Sequence, residues 1–542
     1  MTTMVEELPT LWELFARAVK DHGRRTFLVD AGREETFAET GSRVERVAAE
    51  LAVAGGVGHG DRVLIQGVNS IALVHAWLGA MRLGALPVCL NPTLTAHELD
   101  LVLGDVEPRA LLTDAAGLCA AEPAAALHGV WLAQLDTVGG GDAPGAPPPP
   151  PPPLPVVRAV DPAVLVYTSG TTSRPKAVVV THAALVLSGE AFPSWVGLGE
   201  QERLWACLPL FHMNAQAYSL ATAIAHGYSL AISTRFSASG FWREAAALGV
   251  TAANVIGAML EILARSPEEQ WVPSKLRMLY TAPAPPPARR RELEERFGVR
   301  LMSGYGMSEV PFGCIDSDTS REKERCIGKP RLHPWRAVTN ELRIVGEDGL
   351  ALPVGEVGEL QLRNATTSPG YWNAAEGSAS RLSPEGWLAT GDTGYVDGDG
   401  DVILVGRLKE MIRRRGENIA PGEIEAALME HPAVLLAAAV GIPSELSEED
   451  VAAAVVLRDG AEVTDEELRA WCTERLAPYK VPSHFQFRAS LPMTPTMRVS
   501  RHELAREIVA ASEGVGPVEP DTQAVPPAEA ARVEPSKRGD HA

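Results

Sequence analysis

Residues 164–182 read VLVYTSGTTSRPKAVVVTH. An apolar, β-branched run delivers the chain into a loop dense in hydroxyls and small residues, Thr168, Ser169, Gly170, Thr171 and Thr172; Lys176 follows, then a second apolar run. The pattern predicts strand, loop, strand. Such a loop offers backbone N–H groups and hydroxyls to phosphate oxygens, with the lysine as a point charge. It is not a G-x-x-x-x-G-K-[ST] loop, whose spacing is absent. A plain polar surface turn would leave the order Thr-Thr-Ser-x-Pro-Lys unexplained.

Working outward, the same strand-and-helix language surrounds this stretch. Thr10 and Glu13 form a capping-box pattern ahead of Leu11, Leu14, Phe15, Ala18 and Val19, which share one helical face. GDRVLIQGVNS (60–70) reads as a buried strand running into the helix IALVHAWLGAMRLGA, and LPVCLNP as a second strand. Short apolar strands alternating with helices predict parallel α/β layers. The chain has 542 residues, and at roughly 100 to 200 residues per domain that means three or more folding units.

Composition narrows the function classes. The chain is 46% hydrophobic and 22% charged, as in ordinary soluble proteins. A net charge of −20 argues against nucleic acid or an anionic membrane as partner, since both reward a basic surface. Cys89, Cys119, Cys207, Cys314, Cys326 and Cys472 include no C-x-x-C pair, so neither a disulfide framework nor a zinc site is indicated. The acidic N-terminus MTTMVEELPTLWELFARAV lacks the basic start of a signal peptide, and no apolar run approaches membrane-spanning length. A cytoplasmic protein is expected.

Three composition shifts mark organisation. A Pro-rich loop at 140–157 carries seven consecutive prolines, Pro147 to Pro153, and predicts an exposed polyproline II spacer. After about residue 320, ELRIVGEDGLALPVGEVGELQLR and GWLATGDTGYVDGDGDVILVGR alternate strands with Gly- and Asp-rich turns, predicting hairpins of a small barrel or antiparallel sheet. Asp397-Gly398-Asp399-Gly400 lacks EF-hand spacing and reads as a hairpin turn. Beyond residue 512 the composition predicts a disordered tail.

The 164–182 loop resembles the phosphate-binding signature of the adenylate-forming superfamily, which includes acyl- and aryl-CoA ligases, and the superfamily's other signatures follow in order over roughly residues 10–510. The resemblance implies an α/β fold: a large N-terminal domain of layered α/β subdomains plus a small β-barrel (1–408), a mobile C-terminal α+β domain (409–510) and a tail (511–542). It implies ATP, Mg²⁺ and a small-molecule acid, with CoA as co-substrate. LPLFHMNAQ (208–216) is similar to the acyl-pocket segment, placing His212 beside the reacting carboxylate. Trp205, Asn214, Gln216, Asn254, Gly304 and Met307 are further candidates for that pocket. RFSASGFW (235–242) resembles crotonobetaine/carnitine-CoA ligase-like enzymes.

SGYGMSEV (303–310) resembles the adenine and metal motif: Gly304, Tyr305 and Gly306 at the adenine, Ser308 on the α-phosphate, Glu309 on Mg²⁺. YTAPAPPP (280–287) resembles the adenine-contacting loop, through Ala282 and Pro283, with Ala282 where the family commonly has Gly. In 389–425 the resemblance assigns Asp392 to the ribose hydroxyls, Arg407 to ribose or phosphate, and Lys409 to the interdomain hinge. It adds Arg413 at the nucleotide and Arg415 and Gly416 at the CoA tunnel.

Three departures stand out. Ser173 and Ala177 replace glycines of the T-T-G-x-P-K-G pattern, and Thr496-Met497-Arg498 stands where Thr-Gly-Lys is usual. That lysine is the family's catalytic cation; arginine keeps the charge but is larger and planar. Three readings remain open on sequence. Arg498 serves as the lysine in a carboxylate-activating CoA ligase; or a smaller anion is activated, as in diazotase-like homologues of natural-product pathways that adenylate nitrite and couple it to an aryl amine; or the chain is an ATP-binding scaffold without activity. Against the last, Lys176, Glu309, Asp392, Arg407 and Lys409 are all present.

Overall fold

The computed structural model describes residues 5, 7–140, 153, 155–168, 176–267, 271–373, 381–408, 410–414, 417–444, 449–476, 478–494 and 498–512. Most of the Pro-rich loop and all of 513–542 lie outside them. The chain divides after residue 409 into two compact units.

Near the start of the first unit lies the helix Leu11–His22. Thr10 Oγ1 accepts from the Glu13 N–H at 3.2 Å and the Glu13 carboxylate accepts from the Thr10 N–H at 2.7 Å, so the capping box closes. Leu11, Leu14, Phe15 and Ala18 are buried, as their spacing predicts. Four parallel strands, in the order Leu86–Leu90, Arg62–Gln66, Ala110–Thr113 and Trp131–Gln134, form one sheet. Leu86–Leu90 is buried throughout, as expected where helices cover both faces. A nine-stranded sheet forms the second layer, in which Arg203–Ala206, Ala252–Ile256, Met278–Ala282 and Arg300–Met307 run parallel side by side. Pro162–Thr168 and Lys176–Thr181 pair as an antiparallel hairpin.

His182 opens the helix His182–Val196 and is 3% exposed, its Nδ1 accepting from the Leu11 N–H at 3.3 Å. Burial pushes its pKa down to about 4, against a smaller opposing pull from Asp161. The folded protein therefore binds this proton more weakly than the unfolded chain. His182 contributes stability above pH about 6.5 that is lost as pH falls toward about 4. Thermal melts of His182→Gln across this window should show a weaker acid-induced fall than wild type; identical slopes would assign the acid sensitivity elsewhere.

The Gly- and Asp-rich region forms an antiparallel sheet in the order Asn340–Val345, Gly358–Asn364, Leu388–Val396, Val402–Arg407. Residues 325–328 take the outer edge of Val402–Arg407, through Ile327 N–H to Val402 O at 2.9 Å and Leu404 N–H to Arg325 O at 3.0 Å. The Asp397 turn is a hairpin tip, and Lys323 Nζ lies 2.6, 2.8 and 2.7 Å from carboxylate oxygens of Asp397, Asp399 and Asp401.

The second unit is α+β. Val434–Pro443 pairs antiparallel with Glu449–Leu457, which pairs in parallel with His484–Phe487. Ile424, Leu428, Leu468 and Cys472 pack on one face, and Leu491, Leu504 and Ile508 on the other. No helix among the described residues is long and apolar enough to cross a membrane.

Candidate active site

Several candidate segments of the first unit lie at the carboxyl ends of parallel strands, where open α/β sheets place their ligand crevice. After Ala206 comes the 207–212 loop; Ile256, Ala282 and Met307 end the adjoining strands. Ala282 and Pro283 are exposed at the end of theirs.

Lys176 starts the second strand of its hairpin, directly across from Thr168. Ser169, Gly170, Thr171 and Thr172 lie outside the described residues. Residues 368–372 run along this strand: Val179 N–H donates to Gly370 O at 3.0 Å, Trp372 N–H to Ala177 O at 2.8 Å, and Ser368 Oγ to Val179 O at 2.6 Å. These bonds place the Tyr371 ring 5.4 Å from Lys176 Nζ.

Ser308 and Glu309 form the two-residue tip between Arg300–Met307 and Val310–Ile315, since Met307 pairs with Val310. Small residues let the backbone approach closely there. A Cβ on Gly304 would stand 2.5 Å from the Tyr280 hydroxyl, and one on Gly306 2.9 Å from Pro311 O. Glu309 is 8% exposed. Its Oε1 accepts from the Tyr371 hydroxyl at 2.6 Å and from Arg381 at 3.0 Å. Burial and the neighbouring Glu309 charge push the Tyr371 hydroxyl up to about 12, so it stays a donor. Glu309 Oε2 has no hydrogen-bond partner among the described residues. A largely buried carboxylate with one oxygen available is the donor a hard cation takes, so the residues present fit Mg²⁺.

Tyr305, on the same hairpin, donates its hydroxyl to Asp392 Oδ2 at 2.5 Å. Burial, then the Asp392 charge, holds that phenol well above its ordinary range. Arg407 Nε lies 3.0 Å from Asp392 Oδ1, because Asp392 and Arg407 are directly paired on neighbouring strands. Tyr305, Asp392 and Arg407 therefore form one polar group, while Lys176, Tyr371, Glu309 and Arg381 form a second. Arg381 also donates to Ala389 O at 3.2 Å and Thr390 O at 2.7 Å, on the strand that carries Asp392.

The acyl-pocket candidates form a third group. Asn69 staples the 206–210 loop, donating to Leu208 O at 2.9 Å and accepting from Leu210 N–H at 2.7 Å. His212 is half-buried and leads into Ala215–Ala221, a π-helix, a wide turn that recurs at functional sites. Gln216 Nε2 donates to Leu210 O at 2.9 Å, and Asn254 Nδ2 to Ser219 Oγ at 3.1 Å. Asn214 Oδ1 and Gln216 Oε1 are buried without a partner among the described residues. Tyr218 donates to Pro311 O, which ties the π-helix to the hairpin bearing Ser308 and Glu309.

Lys409, at the end of the first unit, and Arg415 and Gly416 in the second lie outside the described residues, as does the Arg413 side chain; the Arg413 backbone pairs with Asn418. Arg498 is exposed and closes a tight loop, its N–H donating to Thr494 Oγ1 at 3.1 Å and its O accepting from Thr494 N–H at 2.7 Å. Thr496 and Met497 lie outside the described residues. Arg501, three residues on, holds Glu410 at 2.8 Å and Glu425 at 2.8 Å.

Sequence reading missed Tyr371 and Arg381. Tyr371 sits in SPGYWN, where an aromatic beside a Gly turn was a usable signal; a lone arginine in SASRLSPEG carries no pattern.

The family model for AMP-binding enzymes matches residues 15–372, and that for the AMP-binding enzyme C-terminal domain matches 423–498. The chain belongs to the AMP-binding enzyme family. It is an ATP-dependent, AMP-forming enzyme of the acid–CoA ligase kind. It is 34% identical over 510 residues to a sulfoacetate–CoA ligase of Cupriavidus necator, covering 93% of this chain and 98% of that one. It is 31% identical over 522 residues to an oxalate–CoA ligase of Arabidopsis thaliana, covering 93% and 99%. Among solved structures, O-succinylbenzoate coenzyme A synthetase from Bacillus subtilis with ATP and magnesium superposes with a TM-score of 0.79 at 28% identity, over 92% of this chain and 99% of that one.

Proposed function

We propose that this enzyme activates an aryl or alkyl carboxylic acid as its AMP ester and passes the acyl group to the thiol of CoA. In the first half, a carboxylate oxygen of the acid attacks the α-phosphorus of ATP, and the bond to pyrophosphate breaks. In the second, the CoA sulfur attacks the acyl carbonyl, AMP leaves, and the thiol proton passes to solvent. Asp392 and Arg407 would hold the ribose, Tyr305 the adenine, and Lys176 with the 168–172 loop the phosphates. Glu309 would hold Mg²⁺, which neutralises phosphate charge when bound. His212 would stand at the carboxylate, and Arg498 would supply the cation that lysine supplies elsewhere in the family. Lys409 would be the hinge between domain 1–408 and domain 409–510, and Arg415 and Gly416 would line the CoA path.

The observation that carries this reading is the contact chain itself. Lys176, Glu309 and the strand of Asp392 are widely separated in sequence yet brought together through Tyr371 and Arg381. Relatives named as acid–CoA ligases support CoA as acceptor. The nitrite reading would use the same nucleotide site; the acid–CoA ligase names of the relatives favour a carboxylate over it.

The test is ATP-dependent pyrophosphate release with a panel of aryl and alkyl acids plus CoA, against nitrite plus an aryl amine. Release with an acid, yielding its thioester, is expected. Release that requires nitrite and ignores CoA would overturn the proposal.

A further inference from the structure

Arg381 reaches from Glu309 and Tyr371 to the backbone of the strand that carries Asp392. Its Nη1 lies 3.0 Å from Glu309 Oε1 and 2.6 Å from the Tyr371 hydroxyl, while Nε and Nη2 donate to the carbonyls of Ala389 and Thr390 at 3.2 and 2.7 Å. Four bonds fix a planar guanidinium, and a fixed guanidinium loses little freedom in holding its carboxylate. The consequence for Glu309 is electrostatic. A carboxylate already paired on Oε1 has much of its field cancelled, and a divalent cation approaching Oε2 meets the arginine charge a few ångströms beyond it.

We propose that Arg381 is a positioning residue that occupies the charge of Glu309 in the nucleotide-free enzyme, so that the site disfavours a divalent cation alone and accepts one only together with the phosphates of ATP. The inference rests on the reading of Glu309 as the metal carboxylate. ATP phosphates bring the negative charge that offsets the guanidinium; without them the cation faces a nearly neutral pair. Lys176, on the other side of Tyr371, adds a second positive charge to the same neighbourhood and acts in the same sense. Metal and nucleotide binding are thus coupled through one arginine, and by linkage each favours the other equally.

The test is a Mn²⁺ titration of the full-length protein, followed by the electron paramagnetic resonance signal of free Mn²⁺, with and without a non-hydrolysable ATP analogue. Without the analogue, Arg381→Gln should bind Mn²⁺ about tenfold or more tightly than wild type, and Arg381→Lys, which keeps the charge, should stay near wild type. With the analogue the variants should converge, because the phosphates dominate. A merely structural arginine would not tighten metal binding when removed. Arg381→Gln matching wild type, or Arg381→Lys binding as tightly as Arg381→Gln, overturns the proposal. Glu309→Gln separates the two levels. If it weakens Mn²⁺ binding with the analogue while Arg381→Gln changes nothing, the inference about Arg381 fails alone. If it leaves Mn²⁺ binding untouched, the metal reading of Glu309 fails and takes the inference with it.

Discussion

Asp392→Ala should reduce ATP-dependent pyrophosphate release by about 10² to 10⁴, on the argument that two charge-assisted hydrogen bonds to the ribose are lost at roughly 1.5 to 3 kcal/mol each. The substitution has a second cost. Asp392 is 6% exposed and is the acceptor for the Tyr305 hydroxyl at 2.5 Å and the neighbour of Arg407 at 3.0 Å, so its removal strands a buried phenol and a guanidinium. Asp392→Asn keeps the shape and one acceptor, and should retain more folding stability than the alanine variant while still losing turnover. Pyrophosphate release at saturating acid, with a thermal melt of each variant, separates the effects. Wild-type activity in a folded Asp392→Ala protein would remove the ribose anchor from the mechanism.

The other large effect belongs to Arg498. Arg498→Ala should slow formation of the acyl adenylate by about 10² to 10³, the usual loss when one preorganised donor to a developing charge is removed. Thioester formation from chemically supplied acyl adenylate should be nearly unchanged, since the cation is needed while pyrophosphate departs. Arg498→Lys should keep or raise the first rate, because lysine keeps the charge in a smaller, more compact group. Equal losses in both half-reactions would make Arg498 structural. Loss of activity in Arg498→Lys would give the planar guanidinium a purpose of its own, and would return attention to a smaller activated anion.

The sequence was informative wherever function is written in contiguous residues. The 164–182 loop announced a strand pair with a lysine at the start of its second strand, and the structure pairs Lys176 with Thr168 there. Alternating apolar runs announced parallel layers, and capping residues announced the first helix to within a residue. Contacts that join distant segments left no such trace. Tyr305 meets Asp392 across 87 positions, and Arg381 meets Glu309 across 72. Nothing in local spacing encodes either pair, since both depend on how hairpins stack once layers form. The outer edge of the small β-sheet was illegible for the same reason: residues 325–328, far away in sequence, hydrogen-bond to Val402–Arg407.

Lys323 makes the metal dependence of this protein simpler to measure. Asp397, Asp399 and Asp401 are the group of acidic side chains among the described residues that could gather around an ion, and a tethered ammonium already sits among them. A covalently attached cation cannot be washed out. Chelators such as EDTA should therefore leave the melting temperature of the nucleotide-free protein unmoved, and any inhibition they cause reports on the cation that travels with ATP.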